Sequence, residues 1–474
     1  MTNDTDSKRL AVIGAGPGGY AAAFHAADLG LDVTLIDPET NPGGVCLYRG
    51  CIPSKVLLHV AKVISDAVEA EQWGVSFGKP EIKPERVRRW KDTVVEALTG
   101  GLGQLCRQRK VNFVQGRARF EDAHTLVVEK ATGGSERLTA DNAIVATGSR
   151  PAAIPGLAIE SHRVLDSSAA LELRDIPRSL LVVGGGYIGL ELGTVYSALG
   201  TRVSVVEIMD SLLPNADADL VRILHKRVES RLDSIMLETT VTGLKEQKNG
   251  IRVGLAGKTG EKDVIVERVL ISVGRTPNSG DLGLENTNVE VTDRGFVRVD
   301  ESCRTNEPSI FAIGDVVGEP MLAHKASHEG RTAVEVIVGK NVAFEPLAIP
   351  AVVFTDPEIA WCGLSEREAR EHHRNVKVAR FPWAASGRAK TLGRSDGLTK
   401  LIIDPDSERL LGMGIVGPGA GELIAEGVLA IEMGALAADI SLSIHPHPTL
   451  SETVMEAADV FFGRSTHVYR PRRG

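Results

Sequence analysis

Two stretches of the chain carry the same succession of apolar and polar positions. Leu10–Asp37 reads LAVIGAGPGGYAAAFHAADLGLDVTLID and Leu180–Glu207 reads LLVVGGGYIGLELGTVYSALGTRVSVVE; they align without a gap at an offset of 170 residues. Each has a short apolar run, a glycine cluster, an amphipathic stretch ending in Leu-Gly, and a β-rich run closed by an acid. The pattern predicts strand, tight turn, helix and strand, twice over. Ala143–Gly148 and Leu270–Gly274 read as buried strands ending in tight turns, and Ile310–Asp315 as an apolar strand closed by Gly314-Asp315. Val56–Val68 has apolar residues at helical spacing. From about Ile349 on, apolar runs alternate with helical stretches, as in a separate α/β domain. Pro151–Pro155 and Pro277–Gly283 are turn-rich boundaries. The chain therefore divides into residues 1–150, 151–275, 276–347 and 348–474, in keeping with a length of 474 residues at about 150 per domain.

Composition narrows the function classes. A 43% apolar and 24% charged chain belongs with ordinary globular proteins. A formal net charge of −8 argues against a nucleic-acid binder, whose affinity comes from neutralising phosphates. The apolar stretch near Gly427–Leu442 is cut by Glu432 and Asp439, short of the ~20 apolar residues of a membrane span. The polar Met1–Arg9 lacks the apolar core of a signal peptide, so the expected location is the cytoplasm.

The glycines explain the repeat. In the first copy Gly14, Gly16 and Gly19 fall in G-x-G-x-x-G; in the second, Gly184, Gly186 and Gly189. The first allows the turn, the second lets backbone N–H groups approach a pyrophosphate, and the third lets helix and sheet pack closely. The following helix directs its positive end at the phosphates. Asp37 and Glu207, each 18 residues past the last glycine, suit ribose hydroxyls. The expected fold is α/β, with two Rossmann-like dinucleotide-binding domains and a C-terminal α/β domain. Two dinucleotides in one chain suggest electrons passing between them. At the second, Glu207 repels a 2′-phosphate and Ile208-Met209-Asp210 offers no arginine, so NAD is favoured over NADP.

Two further segments carry chemistry. Cys46 and Cys51 lie in Gly43–Lys55, GGVCLYRGCIPSK, a glycine-rich turn ahead of the Val56–Val68 helix. Near a helix N-terminus, with Lys55 four residues on, Cys51 has the setting of a reactive thiolate. Structural zinc would need four ligands, and no second close Cys or His pair accompanies these two. Cys106, Cys303 and Cys362 read as isolated core or surface thiols. His445–Glu452 reads HPHPTLSE: the prolines fix the backbone, and Glu452 stands five residues past His447, placed to set an imidazole's tautomer. A catalytic His447 and a two-histidine metal site are both open on spacing alone. His324 and His328, on an expected helix flank, read as structural.

With VATGSRP, YIGLELG, CRTNEPSIFAIGDV, PMLAHKASHEG, TDPEIAWCGL and FPWAASGRA, these segments make the chain resemble the pyridine nucleotide-disulfide oxidoreductases from Leu10 to about Phe462, and particularly the bacterial branch that oxidises dihydrolipoyl groups. The resemblance implies that 1–150 binds FAD, 151–275 binds NAD, 276–347 completes the FAD site and 348–474 forms a homodimer. It assigns Gly14, Gly16, Gly19, Asp37, Lys55, Gly148 and Asp315 to FAD, with Ala118 and Ala323 contributing through the backbone. Gly184, Gly186, Gly189, Glu207, Val241 and Gly274 are assigned to NAD, with Ile188 a further cofactor residue and Lys55 and Glu191 beside the flavin ring. It implies a redox-active Cys46–Cys51 disulfide, Cys46 being the interchange thiol and Cys51 facing the flavin. His447 is the implied acid/base with Glu452 as its partner, acting on the other subunit's disulfide; no resident metal is implied. The implied partners are lipoyl domains and the acyltransferase component of 2-oxo acid dehydrogenase complexes, and the lipoyl carrier of glycine cleavage. Neither membrane nor nucleic acid is among them.

Three residues or pairs depart from the family pattern: Asp37 where Glu is usual, Tyr48-Arg49 where Asn-Val is frequent, and Pro446 at a usually small position. Tyr48-Arg49 is expected to add bulk and charge on the substrate's approach to the disulfide. The rivals are other disulfide reductases of the family and a non-catalytic FAD/NAD scaffold. Glutathione-type enzymes would want arginines after Glu207, mercuric reductases a cysteine pair near Tyr469–Gly474, and soluble transhydrogenases lack the thiol that Cys46 supplies.

Overall fold

In a computed structural model, which describes residues 8–469 apart from 155, 158 and 259, the repeat is realised twice in three dimensions. Strand Arg9–Ile13, helix Pro17–Asp28 and strand Asp32–Asp37 form the first copy; Ser179–Val183, Tyr187–Ala198 and Arg202–Val206 form the second. In each, the two strands pair in parallel, as a right-handed crossover through the helix requires. Gly14 and Gly184 both take a positive φ, +99° and +107°. A Cβ on either would run into the carbonyl oxygen of the neighbouring strand's end, Ala146 or Ser272. A Cβ on Gly19 or Gly189 would overlap the carbonyl oxygen of Gly14 or Gly184, so helix and strand approach as closely as the glycine spacing predicts.

The first unit grows into a seven-stranded sheet ordered Ile310–Ala312, Asn142–Val145, Arg9–Ile13, Asp32–Asp37, Asn112–Phe120, Thr125–Lys130, Ser135–Thr139. Its Ile310–Ala312 strand arrives from beyond the second unit and pairs in parallel with Asn142–Val145. That strand carries Gly314-Asp315 to the same sheet edge as Gly14. The second unit is a five-stranded parallel sheet, joined to an antiparallel meander, Thr240–Val266. Its two connections to the first unit are more than turns: Ser149–Pro151 pairs with Arg275–Pro277, antiparallel, so the outgoing and returning chain are stitched together. The Pro155 end of that expected boundary lies outside the described residues, as do 1–7 and 470–474.

The C-terminal unit is a five-stranded sheet, Ala351–Val353 to Lys377–Pro382, with helices Ala420–Glu432 and Glu452–Phe462 packed against it. All of its strand pairs are antiparallel, which alternating runs do not specify. Among the described residues, no helix is long and apolar enough to cross a membrane.

One element touches every layer. Helix Cys51–Glu69 has no glycine, and its Pro53 sits in the first turn, where a missing N–H costs nothing. Leu57 and Ala61 on its inner face join the core of the second unit (Leu190, Val195, Leu220) together with Val353, Ile359 and Val416 of the C-terminal sheet. Burying Leu57 alone stabilises the helix's position by roughly 1.5–3 kcal/mol. Its far end, Glu69, pairs with Arg227 and Arg231, and Arg231 bridges on to Asp356 at 2.7 Å.

Candidate active site

A cleft of about 890 Å³ runs along the C-terminal edge of the first sheet, at the upper end of ordinary ligand pockets. It is lined by Gly14, Gly16, Asp37, Ala118, Gly148, Asp315 and Ala323 from the first unit and by Ile188 and Glu191 from the second. Cys46, Cys51 and Lys55 line it as well. Ten of the seventeen cofactor residues expected from sequence therefore meet in one space. Gly19 lies beneath it, packed on Gly14.

The acid of each repeat closes its own glycine loop. Asp37 accepts hydrogen bonds from the Ala15 and Glu39 backbone N–H groups at 2.7 and 2.9 Å. Glu207 accepts from Gly185 and Met209 at 2.6 and 2.8 Å, the equivalent positions. Burial pushes the Asp37 carboxyl up, opposed by the Ala15 bond and by Arg49 and Arg117. Both helices begin without a side-chain cap, at Gly16 and Gly186, so their first N–H groups face the loop. Loop backbone, positive helix end and ribose-ready acid fit a dinucleotide in each unit. Gly184, Gly186, Gly189 and Glu207 sit at the second unit's own loop and do not line the large cleft, and Gly274 (φ +126°) follows the return strand Arg268–Ile271. The Val241 side chain packs into the core with Leu181, Val183 and Val206; its strand starts beside Glu207, which bonds the Thr239 N–H at 3.0 Å.

The redox segment is more ordered than a turn. Gly44–Arg49 is itself a short helix, and Cys51 opens the next one. The Cys46 S–H donates to Cys51, lowering the Cys51 thiol; burial opposes this, and the Lys55 ammonium lowers it further, to about 7. The same hydrogen bond and burial push Cys46 upward. Cys51 is thus the more acidic thiol of the pair. Lys55 Nζ meets Glu191 Oε2 at 2.8 Å and lies 4.4 Å from the centre of the Phe354 ring. Ser54 Oγ and the Phe354 N–H also donate to Glu191, at 3.1 and 3.0 Å. This pair links three segments distant in sequence, which spacing could not reveal. Cys106, Cys303 and Cys362 are buried and are raised by desolvation to about 11, 12 and 12, as inert core thiols are.

Tyr48 and Arg49 are tied to the loop after Asp37. The Tyr48 hydroxyl donates to the Asn41 carbonyl at 3.0 Å, and Arg49 pairs with Glu39. Sequence reasoning also missed a second cluster: Arg275 Nε donates to Ser149 Oγ at 2.6 Å, and that hydroxyl donates to Asp315. The signal was present, since Arg275 directly follows Gly274.

His447 and Glu452 form a dyad of their own. His447 Nδ1 lies 2.8 Å from Glu452 Oε1, and the Thr449 N–H donates to the other carboxylate oxygen at 2.7 Å. Burial raises the Glu452 carboxyl, but the Thr449 and His447 bonds outweigh it and hold it below the ordinary range. With Nδ1 facing a carboxylate, His447 leaves Nε2 as its working atom, and its side chain is 76% exposed. His445 turns the other way, to Glu426 Oε1 and the Ser443 carbonyl, both at 2.8 Å, so the two imidazoles do not converge. None of the described residues lining the thiol cleft comes from beyond Ala326, so within one chain the dyad stays apart from the thiols. His324 bonds the Pro350 carbonyl at 2.8 Å, a structural role.

Comparison with known proteins bears on this geometry. Residues 8–330 match the model of the pyridine nucleotide-disulphide oxidoreductases, and 349–458 that of the dimerisation domain of the same family. The chain belongs to the pyridine nucleotide-disulphide oxidoreductases. It is 50% identical to the dihydrolipoyl dehydrogenase of Haemophilus influenzae over 97% of this chain and 96% of the relative. It is 44% identical to that of Geobacillus stearothermophilus over 96% and 97%. Among solved structures of the family, LpdA of Mycobacterium tuberculosis superposes with a TM-score of 0.90 at 26% identity, over 96% of this chain and 99% of that one. The flavoprotein disulfide reductase RclA of Escherichia coli gives 0.83 at 26%, over 94% and 98%. Members of this pyridine nucleotide-disulphide oxidoreductase family carry FAD and NAD, the pair that the two glycine loops fit.

Proposed function

We propose that the chain is a cytoplasmic dihydrolipoyl dehydrogenase acting as a homodimer: it oxidises protein-bound dihydrolipoyl groups and reduces NAD⁺ through the Cys46–Cys51 pair. The observation that carries this reading is a low-pKa thiol at a helix start, beside a Lys-Glu pair, in the wall of a dinucleotide cleft. Residues 1–150 and 276–347 build the FAD site through Gly14, Gly16, Gly19, Asp37, Lys55, Ala118, Gly148, Asp315 and Ala323, with Ile188 and Glu191 reaching in. Residues 151–275 hold NAD through Gly184, Gly186, Gly189, Glu207, Val241 and Gly274.

The cleft has thiols but no imidazole; residues 348–474 supply one to the other subunit. Around His447 that domain exposes Leu429, Met433, Leu442 and Ile444, an apolar face suited to a second copy. His447 of the partner subunit removes a proton from a dihydrolipoyl thiol, while Glu452 fixes its tautomer and steadies the imidazolium. The resulting thiolate attacks Cys46 Sγ of the disulfide, and Cys51 departs as thiolate. The Lys55 ammonium favours the departing Cys51 thiolate. Once its first proton has passed to solvent, the same base deprotonates the second substrate thiol, which displaces Cys46 and closes the lipoyl disulfide. Two electrons are left on the thiol pair, and two protons on His447 and solvent. When bound, FAD takes those electrons from the thiols and passes them to NAD⁺ as hydride. The lipoyl groups are those of 2-oxo acid dehydrogenase complexes, presented on the acyltransferase component, or of the glycine cleavage carrier.

The deciding assay is NAD⁺ reduction by dihydrolipoamide, beside NADPH-linked glutathione reduction as the rival activity. Wild type turns over the first and not the second. His447→Gln lowers turnover by about 10²–10⁴-fold while the yellow colour of bound flavin persists. Full activity in that variant removes the base assignment, and glutathione turnover removes the substrate assignment.

A further inference from the structure

The redox segment carries a cation for which thiol chemistry has no use. Arg49 follows Cys46 by three residues, yet turns back along the Gly44–Arg49 helix toward the loop after Asp37 and pairs with Glu39. Tyr48 is tied to Asn41 of the same loop. Between them, the Gly43 N–H donates to the Ala15 carbonyl at 2.8 Å, and Gly44 lies so close to Gly16 that a Cβ there would meet its Cα. Residues 39–49 are therefore folded down onto the glycine loop, and Arg49 and Glu39 line the cleft with Gly14, Gly16 and Asp37. The Arg49 side chain is 44% exposed, so the pair with Glu39 leaves it open to the cleft.

We propose that Arg49 is a cofactor-binding residue of this chain, its guanidinium serving the phosphate-bearing part of FAD. The inference rests on the FAD reading above. The electrostatics call for such a group. This end of the cleft already holds the carboxylates of Asp37 and Glu39, and a pyrophosphate adds negative charge. The helix N-terminus offers about half a positive charge in return, and Arg117, which also lines the cleft and acts on Asp37, one more, still short of the negative charge gathered there. Arg49 faces Asp37 closely enough to act on its carboxyl. A guanidinium presents several donors in one plane, so one edge can hold Glu39 while another meets a phosphate. Tyr48 and Asn41 keep the helix from swinging that cation away.

The alternative is that Arg49 and Glu39 form a purely structural clasp, and the two residues then respond alike. The test is FAD release from the holoenzyme, followed by the rise of free-flavin fluorescence on dilution, at 20 mM and 500 mM KCl. Arg49→Met is expected to speed release about tenfold at low salt and less at high salt, where exposed charges are screened. Arg49→Lys should keep part of the retention. Glu39→Gln, which frees Arg49, should slow release or leave it within about twofold of wild type. Equal acceleration by Arg49→Met and Glu39→Gln overturns the inference in favour of the clasp. An unchanged release rate with a raised KM for dihydrolipoamide overturns it in favour of a substrate-side role. A wild-type chain that takes up no flavin overturns the parent reading and this one together, whereas flavin release indifferent to Arg49 overturns only this one.

Discussion

Beside the hydrogen bond from Cys46, Lys55 raises how much Cys51 thiolate exists at neutral pH, and its charge can be removed without touching a thiol. Lys55 stands four residues after Cys51 on one helix, so the two side chains start about 6 Å apart. At an effective dielectric of about 20, unit charges at that separation interact by roughly 3 kcal/mol, about two pKa units. The Lys55 side chain is 33% exposed and already paired with Glu191, so about half that is the reasonable expectation. Lys55→Met should therefore raise Cys51 from about 7 by about one unit, dropping the thiolate fraction at pH 7 from about a half to about a tenth. Glu191→Gln should act in the opposite direction, because the Glu191 carboxylate opposes the Cys51 thiolate. The measurement is the pH dependence of iodoacetamide alkylation at Cys51 in anaerobically reduced enzyme, read by peptide mass spectrometry. The opposite signs are the sharp part: variants that merely loosened the site would move the midpoint the same way. An alkylation midpoint unmoved by Lys55→Met, or moved in one direction by both variants, would refute the electrostatic account.

Two other outcomes follow from the packing. Gly189→Ala places a Cβ against the Gly184 carbonyl and Ser272, so it should weaken NADH binding at least tenfold, by equilibrium titration, and leave the flavin spectrum of the first unit intact. Lys400, fully buried, holds Asp217, Asp219 and Glu366 at 2.6, 2.7 and 2.9 Å, and its removal leaves three carboxylates facing one another. Lys400→Met should cost about 3–5 kcal/mol in denaturant unfolding at pH 7. The sign with pH is fixed by Asp219: burial raises its carboxyl, but Lys400 and Arg380 outweigh that and hold it low. A depressed carboxyl stabilises above its unfolded pKa of about 3.9 and loses that contribution as pH falls through its folded value. The gap between wild type and Lys400→Met should therefore narrow toward pH 3.

What could be read from the chain alone was whatever repeats or clusters locally. The two nucleotide units announce themselves because Gly14 and Gly184 need a positive φ, and Gly19 and Gly189 have no room for a side chain. Cys51 at a helix start followed from the helical spacing of Val56–Val68. What stayed hidden needed the long-range fold. Glu191 lies 136 residues from Lys55, and Ser149 lies 126 from Arg275. The contacts of Tyr48 and Arg49 stayed hidden for a related reason: the Gly44–Arg49 helix, whose glycine start gives no helix signal, carries them to Asn41 and Glu39. The same limit applied to His445 and His447: only two apart in sequence, they part because each has its own carboxylate, Glu426 or Glu452.

The position of helix Cys51–Glu69 then explains why a two-cofactor relay needs no moving arm within the chain. Its N-terminus places Cys51 in the first unit's cleft, its middle turns are packed into the second unit's core through Leu57 and Ala61, and Glu69 is held by Arg227 and Arg231. Asp356 continues that network into the C-terminal unit, where Arg394 meets it at 2.6 Å. A thiol on such a helix cannot shift relative to either nucleotide loop without breaking apolar and ionic contacts at once. In the proposed reaction the component that must come and go is the lipoyl group, and His447, proposed to meet it, is exposed. On the proposed mechanism, a rigid electron path and an open proton path are thus kept apart: buried side chains hold the thiols, and the proposed base is an exposed imidazole on another domain.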